Sequence, residues 1–209
     1  MIELYTWMTP NGRKVSIMLE EVGLPYRVHP IDITKDHQFD PAFLKISPNN
    51  KIPAIVDTDN GLHLMESGAI LMYLAEKTGK FWPQDFPTKW RVAEWLMWQM
   101  GGAGPFLGQV HHFVKFNPGK SSYAEERYSK EARRLWRVLD TRLSDVEYVA
   151  GDYSIADIAI WPWISRFEWQ TVNFSEHPNI KRWYVAIAER PAVQRGWDVL
   201  EEGCVMPMP

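Results

Sequence analysis

The sequence of 209 residues has a single cysteine, Cys204, which excludes an intramolecular disulfide. A chain without disulfides fits a reducing compartment. The sequence also lacks a run of about eighteen apolar residues, the length needed to cross a membrane as a helix. Met1 to Tyr5 carry neither the basic nor the apolar region of a secretory signal. We therefore expect a soluble, cytoplasmic protein in which any thiol chemistry uses a thiol bound from outside.

Excess charge is lacking too, with a formal net charge of -3 and a pI near 6.1. These values predict neither a nucleic-acid partner nor attraction to an anionic membrane. The motifs GxGxxG, GxSxG and the P-loop are missing, so nucleotide binding and serine hydrolysis have no support. His111 and His112 are adjacent on a predicted helix and face different ways, so we expect no metal site.

The first part of the chain alternates strand-like and helix-like patterns. Its predicted elements are a strand over 2–5, a helix ending at Gly23, a strand over 26–31, a short helix over 41–44, strands over 53–57 and 62–64, and a helix ending at Gly79. The first three form a βαβ unit, so their two strands should be parallel. We expect a small α/β domain with a mixed sheet over residues 1–78.

The rest of the chain has helical patterns only. A proline-containing stretch over 79–88 reads as a linker. Residues 154–164 are apolar on all sides, which predicts a buried helix. Ser154 and Asp157 have the spacing of a capping box, so we assign Asp157 a structural role. The predicted C-terminal domain is an all-helical bundle over 89–209.

One candidate binding feature is the Ile52–Pro53 peptide bond. Proline at the first residue of a strand removes no ladder donor, so an ordinary trans bond is one interpretation. A cis bond would turn the chain sharply and leave the Ile52 backbone N–H and C=O facing outward. An extended peptide could then pair with them as an added strand. The dipeptide alone leaves both interpretations open.

A second candidate is Glu66-Ser67, which precedes the last helix of the first domain. Ser67 is well placed as a plain N-cap. Alternatively, the helix N-terminus could hold a carboxylate while Glu66 takes an ammonium group. Together they would bind the charged α-amino and α-carboxylate end of an amino acid. Both interpretations remain open from these residues.

Taken together, these features resemble the glutathione transferase fold, in which a thioredoxin-like domain with a cis-proline before its third strand precedes an all-helical domain. The most specific local sequences are similar to the nu class, whose YfcG-like bacterial members are glutathione-dependent disulfide-bond oxidoreductases. These sequences are Thr9-Pro10-Asn11-Gly12, residues 43–55, Glu66-Ser67-Gly68-Ala69-Ile70, Gly104-Pro105 with Gly108-Gln109, and Tyr153-Ser154-Ile155-Ala156-Asp157.

The resemblance implies roles for the matching positions and glutathione, reduced or oxidised, as co-substrate without a metal. Thr9 and Asn11 would lie beside the glutathione sulfur as catalytic residues. The other implied glutathione contacts are Gln38 at the glycyl end, Ile52 with Pro53 at the cysteinyl backbone, Glu66 and Ser67 at the γ-glutamyl end, Arg127, and Lys51 at a ligand carboxylate. The resemblance also implies a homodimer.

The implied mechanism stabilises the thiolate of bound glutathione, whose free thiol has a pKa of about 8.5. One or two donors, from the Thr9 hydroxyl and the Asn11 amide, would bring that pKa to about 6.5–7.5. Tyr5 is the rival donor. The thiolate would attack a disulfide, or alternatively an electrophilic carbon in a conjugating transferase. A non-enzymatic, glutathione-binding regulatory protein is a third hypothesis, because fold alone does not fix function.

Overall fold

A mixed sheet of four strands forms the centre of the N-terminal part in the computed structural model, which describes residues 1–209. The elements here are β1 (Ile2–Thr6), α1 (Pro10–Val22), β2 (Tyr26–Pro30), α2 (Pro41–Leu44), β3 (Ala54–Asp57), β4 (Leu62–Met65) and α3 (Ser67–Thr78). The strand order is β2-β1-β3-β4. β1 pairs parallel with β2 and antiparallel with β3, which pairs antiparallel with β4. The predicted mixed sheet and parallel βαβ pair are confirmed.

The register of the sheet brings three chain segments to one edge. Tyr5 pairs with Ala54, and Ala54 pairs with Met65. The end of β1, the start of β3 and the end of β4 therefore lie side by side, because paired residues of neighbouring strands are about 5 Å apart. The segments that lead into α1, into β3 and into α3 all leave the sheet at this edge.

The core of this part lies between the sheet and the helices α1 and α3, which pack on each other. Residues of β1 alternate in burial, as expected for a strand with one covered face. The fully buried aliphatic side chains that fill this core include Leu4, Val15, Met18, Leu19, Ile55, Ile70, Leu71 and Leu74. Burial of these side chains fixes the two helices against the sheet and so fixes where each helix begins.

After residue 82 the regular elements are helical, which confirms the prediction for this part. The α-helices are α4 (Phe86–Trp98), α5 (Gly104–Val110), α6 (Ser122–Asp145), α7 (Ile155–Ile164), α8 (Pro178–Ala188) and α9 (Pro191–Trp197). The sequence patterns did not predict the π-helical turns over Gln99–Ala103 and His111–Phe116. Pro105 has no N–H to donate to the carbonyl of Gly101, and the helix forms the wider π-helical turn just before this proline.

α7 is the buried helix that the sequence predicted, since all ten of its residues are buried. Its N-terminus carries the predicted capping box: Ser154 Oγ accepts from the backbone of α7, and the Asp157 carboxylate accepts from Ser154 N. The capping box satisfies donors that would otherwise be buried without acceptors at the helix start.

By internal packing, the chain divides into two units, Met1–Trp82 with Glu189–Met206 and Pro83–Ala188 with Pro207–Pro209. In the first unit, α9 packs on α1 at Gly196, where a Cβ would lie 2.5 Å from Ile17 Cα. Only glycine permits this approach. The predicted domain limits, 1–78, 79–88 and 89–209, stay a prediction.

None of the helices combines the length and the apolar character needed to cross a lipid bilayer.

Candidate functional site

The first part of the site is the N-terminus of α1, where Thr9 is the N-cap residue. Thr9 Oγ1 accepts a hydrogen bond from Gly12 N at 3.1 Å, and Pro10 occupies the first helical position, where no N–H is needed. A hydroxyl that accepts through its oxygen still has its own proton to donate. The cap therefore holds a hydroxyl donor at the positive end of the helix.

Close packing fixes the chain just before this cap. A Cβ at Gly12 would lie 2.2 Å from the carbonyl oxygen of Trp7 and 2.5 Å from Thr6 Oγ1. Glycine is therefore required at the third position of α1. The close approach holds the segment from Trp7 to Thr9 against the first turn, in which Asn11 is the second helical residue.

The second part of the site is the loop before β3. The Ile52–Pro53 bond is cis, which confirms the form that the family resemblance implied. Ser47 Oγ donates to the Lys51 carbonyl at 2.8 Å and so holds the loop closed. The loop backbone bonds do not involve the N–H or C=O of Ile52, which is half-buried.

The third part is the start of α3, where the structure corrects one expectation. Ser67 is the first helical residue and not the N-cap, a position that Glu66 occupies without a side-chain capping bond. Glu66 has φ 71 and ψ 110, a conformation that costs a non-glycine residue about 1–3 kcal/mol. Such conformations cluster at binding sites. Glu66 is exposed, whereas Ser67 is only 4% exposed.

Beneath this turn lies a residue that the sequence analysis missed. Lys14 of α1 is 0% exposed, and its Nζ donates to Ser67 Oγ at 3.2 Å. Burial lowers the pKa of Lys14 to about 7, although the nearby Glu66 carboxylate acts in the opposite direction. One signal was available: Lys14 precedes the core residue Met18 by four positions, which places a lysine on the buried face of α1.

Gln38, Lys51 and Arg127 are the remaining residues for which the family resemblance implied a contact with glutathione. Gln38 lies in the 3-10 turn His37–Phe39, and its Nε2 donates to Asp36 Oδ1 at 3.4 Å. Its side-chain carbonyl oxygen is buried and accepts no hydrogen bond. Lys51 is exposed. Arg127 is an exposed residue of α6 in the second unit, and its implied contact with glutathione stays a prediction.

The rival donor, Tyr5, is held by aromatic packing beside the sheet. Its ring stacks on that of His29, its pairing partner on β2, with ring centroids 4.5 Å apart. Burial, with a smaller contribution from the Glu3 carboxylate, raises the pKa of Tyr5. A phenol with a raised pKa is a poorer donor to a thiolate than one with an ordinary pKa.

Comparison with known proteins identifies the family to which this architecture belongs. The model of the glutathione S-transferase N-terminal domain matches residues 4–81, and that of the C-terminal domain matches residues 104–191. The chain is 50% identical over 198 residues to the disulfide-bond oxidoreductase YfcG of Escherichia coli, and the aligned region covers 92% of each chain. The chain belongs to the glutathione S-transferase family.

Two solved members of the glutathione S-transferase family have the same fold as this chain. A glutathione transferase from Burkholderia graminis, with two glutathione molecules bound per subunit, superposes with a TM-score of 0.90 at 44% identity, covering 97% of this chain and 89% of that one. One from Pseudomonas putida, with one glutathione disulfide bound per subunit, has a TM-score of 0.90 at 44% identity and coverages of 95% and 91%.

Proposed function

We propose that the chain is a glutathione-dependent disulfide-bond oxidoreductase in which bound glutathione supplies the reactive thiol. The observation that carries this proposal is the shared sheet edge. At this edge Tyr5 pairs with Ala54 and Ala54 pairs with Met65, and the chain continues from these strand ends to the Thr9 cap, the Ile52–Pro53 loop and the Glu66-Ser67 turn. A hydroxyl donor, a half-buried backbone strand end and a helix N-terminus with an exposed carboxylate match the parts of a γ-glutamyl tripeptide.

Each part of glutathione has a counterpart at this edge. We assign the γ-glutamyl ammonium to Glu66 and its carboxylate to Ser67 with the N-terminus of α3. The backbone of the cysteinyl unit pairs with Ile52, whose N–H and C=O take part in no loop backbone bond. The glycyl end lies towards Gln38 and Lys51. This orientation brings the sulfur towards Thr9 and Asn11.

The reaction that fits these groups is thiol–disulfide exchange. The glutathione thiolate attacks one sulfur of the substrate disulfide, forms a mixed disulfide and displaces the other sulfur as a thiolate. A second glutathione thiolate then attacks the mixed disulfide, forms glutathione disulfide and releases the second substrate thiol. Thr9 and Asn11 stabilise the attacking thiolate, and the α1 dipole adds in the same direction. The named activity of the Escherichia coli relative supports this choice.

A direct comparison of two reactions tests the proposal. With glutathione present, the protein should reduce 2-hydroxyethyl disulfide faster than it conjugates 1-chloro-2,4-dinitrobenzene. Conjugation that far outpaces reduction would favour a conjugating transferase, the second candidate from the family. Glutathione binding without turnover in either assay would indicate a regulatory protein.

Substitution of the single cysteine tests whether the reactive thiol belongs to the ligand. Cys204 Sγ accepts a hydrogen bond from Arg13 Nη2 at 3.3 Å, and the thiol is half-buried. Cys204→Ser should leave the rate of disulfide reduction within about twofold, because the proposed exchange uses only the thiols of glutathione and of the substrate. A rate near zero would mean that the protein thiol is part of the reaction.

We also propose a homodimer formed through α4. Phe86, Trp90 and Met97 are 77%, 60% and 52% exposed. At about 100° per residue they fall within about 40° of each other, so they form one apolar stripe. Trp90→Glu should convert the dimer to a monomer in light scattering. Tyr123→Glu, at a 71% exposed aromatic of α6 outside the stripe, should leave it dimeric. A monomeric wild-type protein would contradict the proposal.

A further inference from the structure

We propose that Lys14 is a positioning residue for the γ-glutamyl carboxylate of glutathione, acting through the hydroxyl of Ser67 from inside the fold. This inference rests on the proposed function, because it concerns the γ-glutamyl end of the same site. Lys14 would not touch the ligand. It would orient the group that does and supply positive charge behind the helix N-terminus.

The geometry joins two helices that are far apart in sequence. Lys14 lies in the second turn of α1 and Ser67 opens α3, 53 residues later, and their side chains meet at 3.2 Å. Both residues are buried, Lys14 at 0% and Ser67 at 4% exposure. An ammonium group only donates hydrogen bonds, so Ser67 Oγ accepts from Lys14. The Ser67 proton is consequently directed away from Lys14, as a donor.

Burial of this lysine is costly, and the cost requires an explanation. Moving an ammonium group out of water costs several kcal/mol, and a lysine that only filled space could be replaced by an apolar residue. Burial disfavours the charged form of Lys14 and lowers its pKa to about 7. An anion bound at the start of α3 would favour that charge again. The carboxylate of a γ-glutamyl group is such an anion.

The helices α3 and α9 pack against α1, and both carry charged side chains. α3 brings Glu66, whose carboxylate favours the charged form of Lys14. The other charged residues of α3 and α9 are exposed or have partners of their own: Glu76 is exposed, Lys77 pairs with Asp57, and Arg195 pairs with Glu20. Glu66 is therefore the charge that acts on Lys14, and it is also the residue assigned to the ligand ammonium.

Two glutathione analogues distinguish a role in binding the γ-glutamyl carboxylate from a general effect on glutathione binding. In glutaryl-cysteinyl-glycine the γ-glutamyl ammonium is missing, and in 4-aminobutyryl-cysteinyl-glycine the γ-glutamyl carboxylate is missing. Lys14→Met should weaken binding of glutathione and of the glutaryl analogue by about tenfold or more, the size of one charge-assisted hydrogen bond. Binding of the 4-aminobutyryl analogue should change by less than about twofold. Isothermal titration calorimetry measures all three.

A matched control is Lys80→Met. Lys80 Nζ donates to the Val22 carbonyl near the C-terminal end of α1, away from the sheet edge that carries the site. This variant should bind all three ligands as the wild type does. Equal weakening of all three ligands by Lys14→Met, or no weakening, would overturn the inference. A wild-type protein that binds no glutathione would overturn the proposed function itself.

A second measurement needs only the wild-type protein. Binding of an anion should raise the pKa of Lys14 from about 7, so binding near pH 7.5 should take up protons. The affinity for S-methylglutathione, which has no ionisable thiol, should therefore be flat below about pH 6 and fall as the pH rises above 7. Calorimetry in buffers of different ionisation enthalpy reports the uptake. Binding without proton uptake would contradict the role of Lys14.

Discussion

Replacement of Thr9 by valine is expected to lower the turnover of disulfide reduction by about 10- to 100-fold, with glutathione affinity changed only a few-fold. Valine keeps the shape of threonine and removes the hydroxyl, which the Gly12 N–H holds in place by its bond to Oγ1. The loss of one hydrogen bond to a thiolate corresponds to about 1.5–3 kcal/mol. Ultraviolet absorbance of the bound thiolate against pH should show a raised thiol pKa.

Two control variants separate the donor from the helix cap. Thr9→Ser keeps both the cap and the hydroxyl proton and should retain most of the turnover. Ser121→Ala removes the corresponding cap of α6, where Ser121 Oγ accepts from Ala124 N, and should cost about 1 kcal/mol of stability without an effect on turnover. If Thr9→Val left the thiol pKa unchanged, the donor role would pass to Asn11, and Asn11→Ala would then be the informative variant.

Replacement of Asp157 by alanine is expected to lower the free energy of unfolding by about 3–5 kcal/mol. Its carboxylate is 0% exposed and accepts from Val149 N at 3.0 Å, Ser154 N at 3.0 Å and Trp183 Nε1 at 2.8 Å. Alanine would leave these donors buried without acceptors, and each such donor costs about 1–3 kcal/mol. Urea unfolding followed by tryptophan fluorescence measures the loss.

The comparison variants for Asp157 are a neighbour and an isostere. Asp152 is exposed, so Asp152→Ala should change stability by less than about 0.5 kcal/mol. Asp157→Asn keeps one oxygen acceptor and should fall between the wild type and Asp157→Ala. Burial raises the pKa of Asp157 to about 6, which means that burial disfavours the charged form of this carboxyl group. The hydrogen bonds that its oxygens accept, rather than its charge, therefore explain the stabilisation. A loss below about 1 kcal/mol in Asp157→Ala would refute this account.

Much of the fold was predictable because its signals are local. Three signals act within a few residues of themselves: the turn Asp59-Asn60-Gly61 that joins the hairpin strands β3 and β4, the glycines that end α1 and α3, and the apolar sequence of α7. The Ser154–Asp157 capping box is equally local. The π-helical turns beside α5 were missed, because wide and regular turns share the same hydrophobic pattern.

The candidate site was predictable only in part. Thr9 was recognised through a local motif, and its N-cap role depends on Gly12, three residues later. Glu66 was a different case: the start of α3 was predicted one residue too late, because propensity favours serine as the N-cap. The structure places Glu66 at the cap with positive φ instead. Packing of β4 and α3 holds that conformation, which no local preference of glutamate would favour.

Periodicity and turn chemistry were therefore sufficient to indicate a mixed sheet followed by helices, and a single cysteine was sufficient to indicate a borrowed thiol. Sheet register and helix packing were needed for the rest. Register brings Tyr5, Ala54 and Met65 together, and packing brings Lys14 against Ser67 across 53 residues of chain. These contacts depend on the free energy of burial summed over the whole core, and no short stretch of sequence contains that sum.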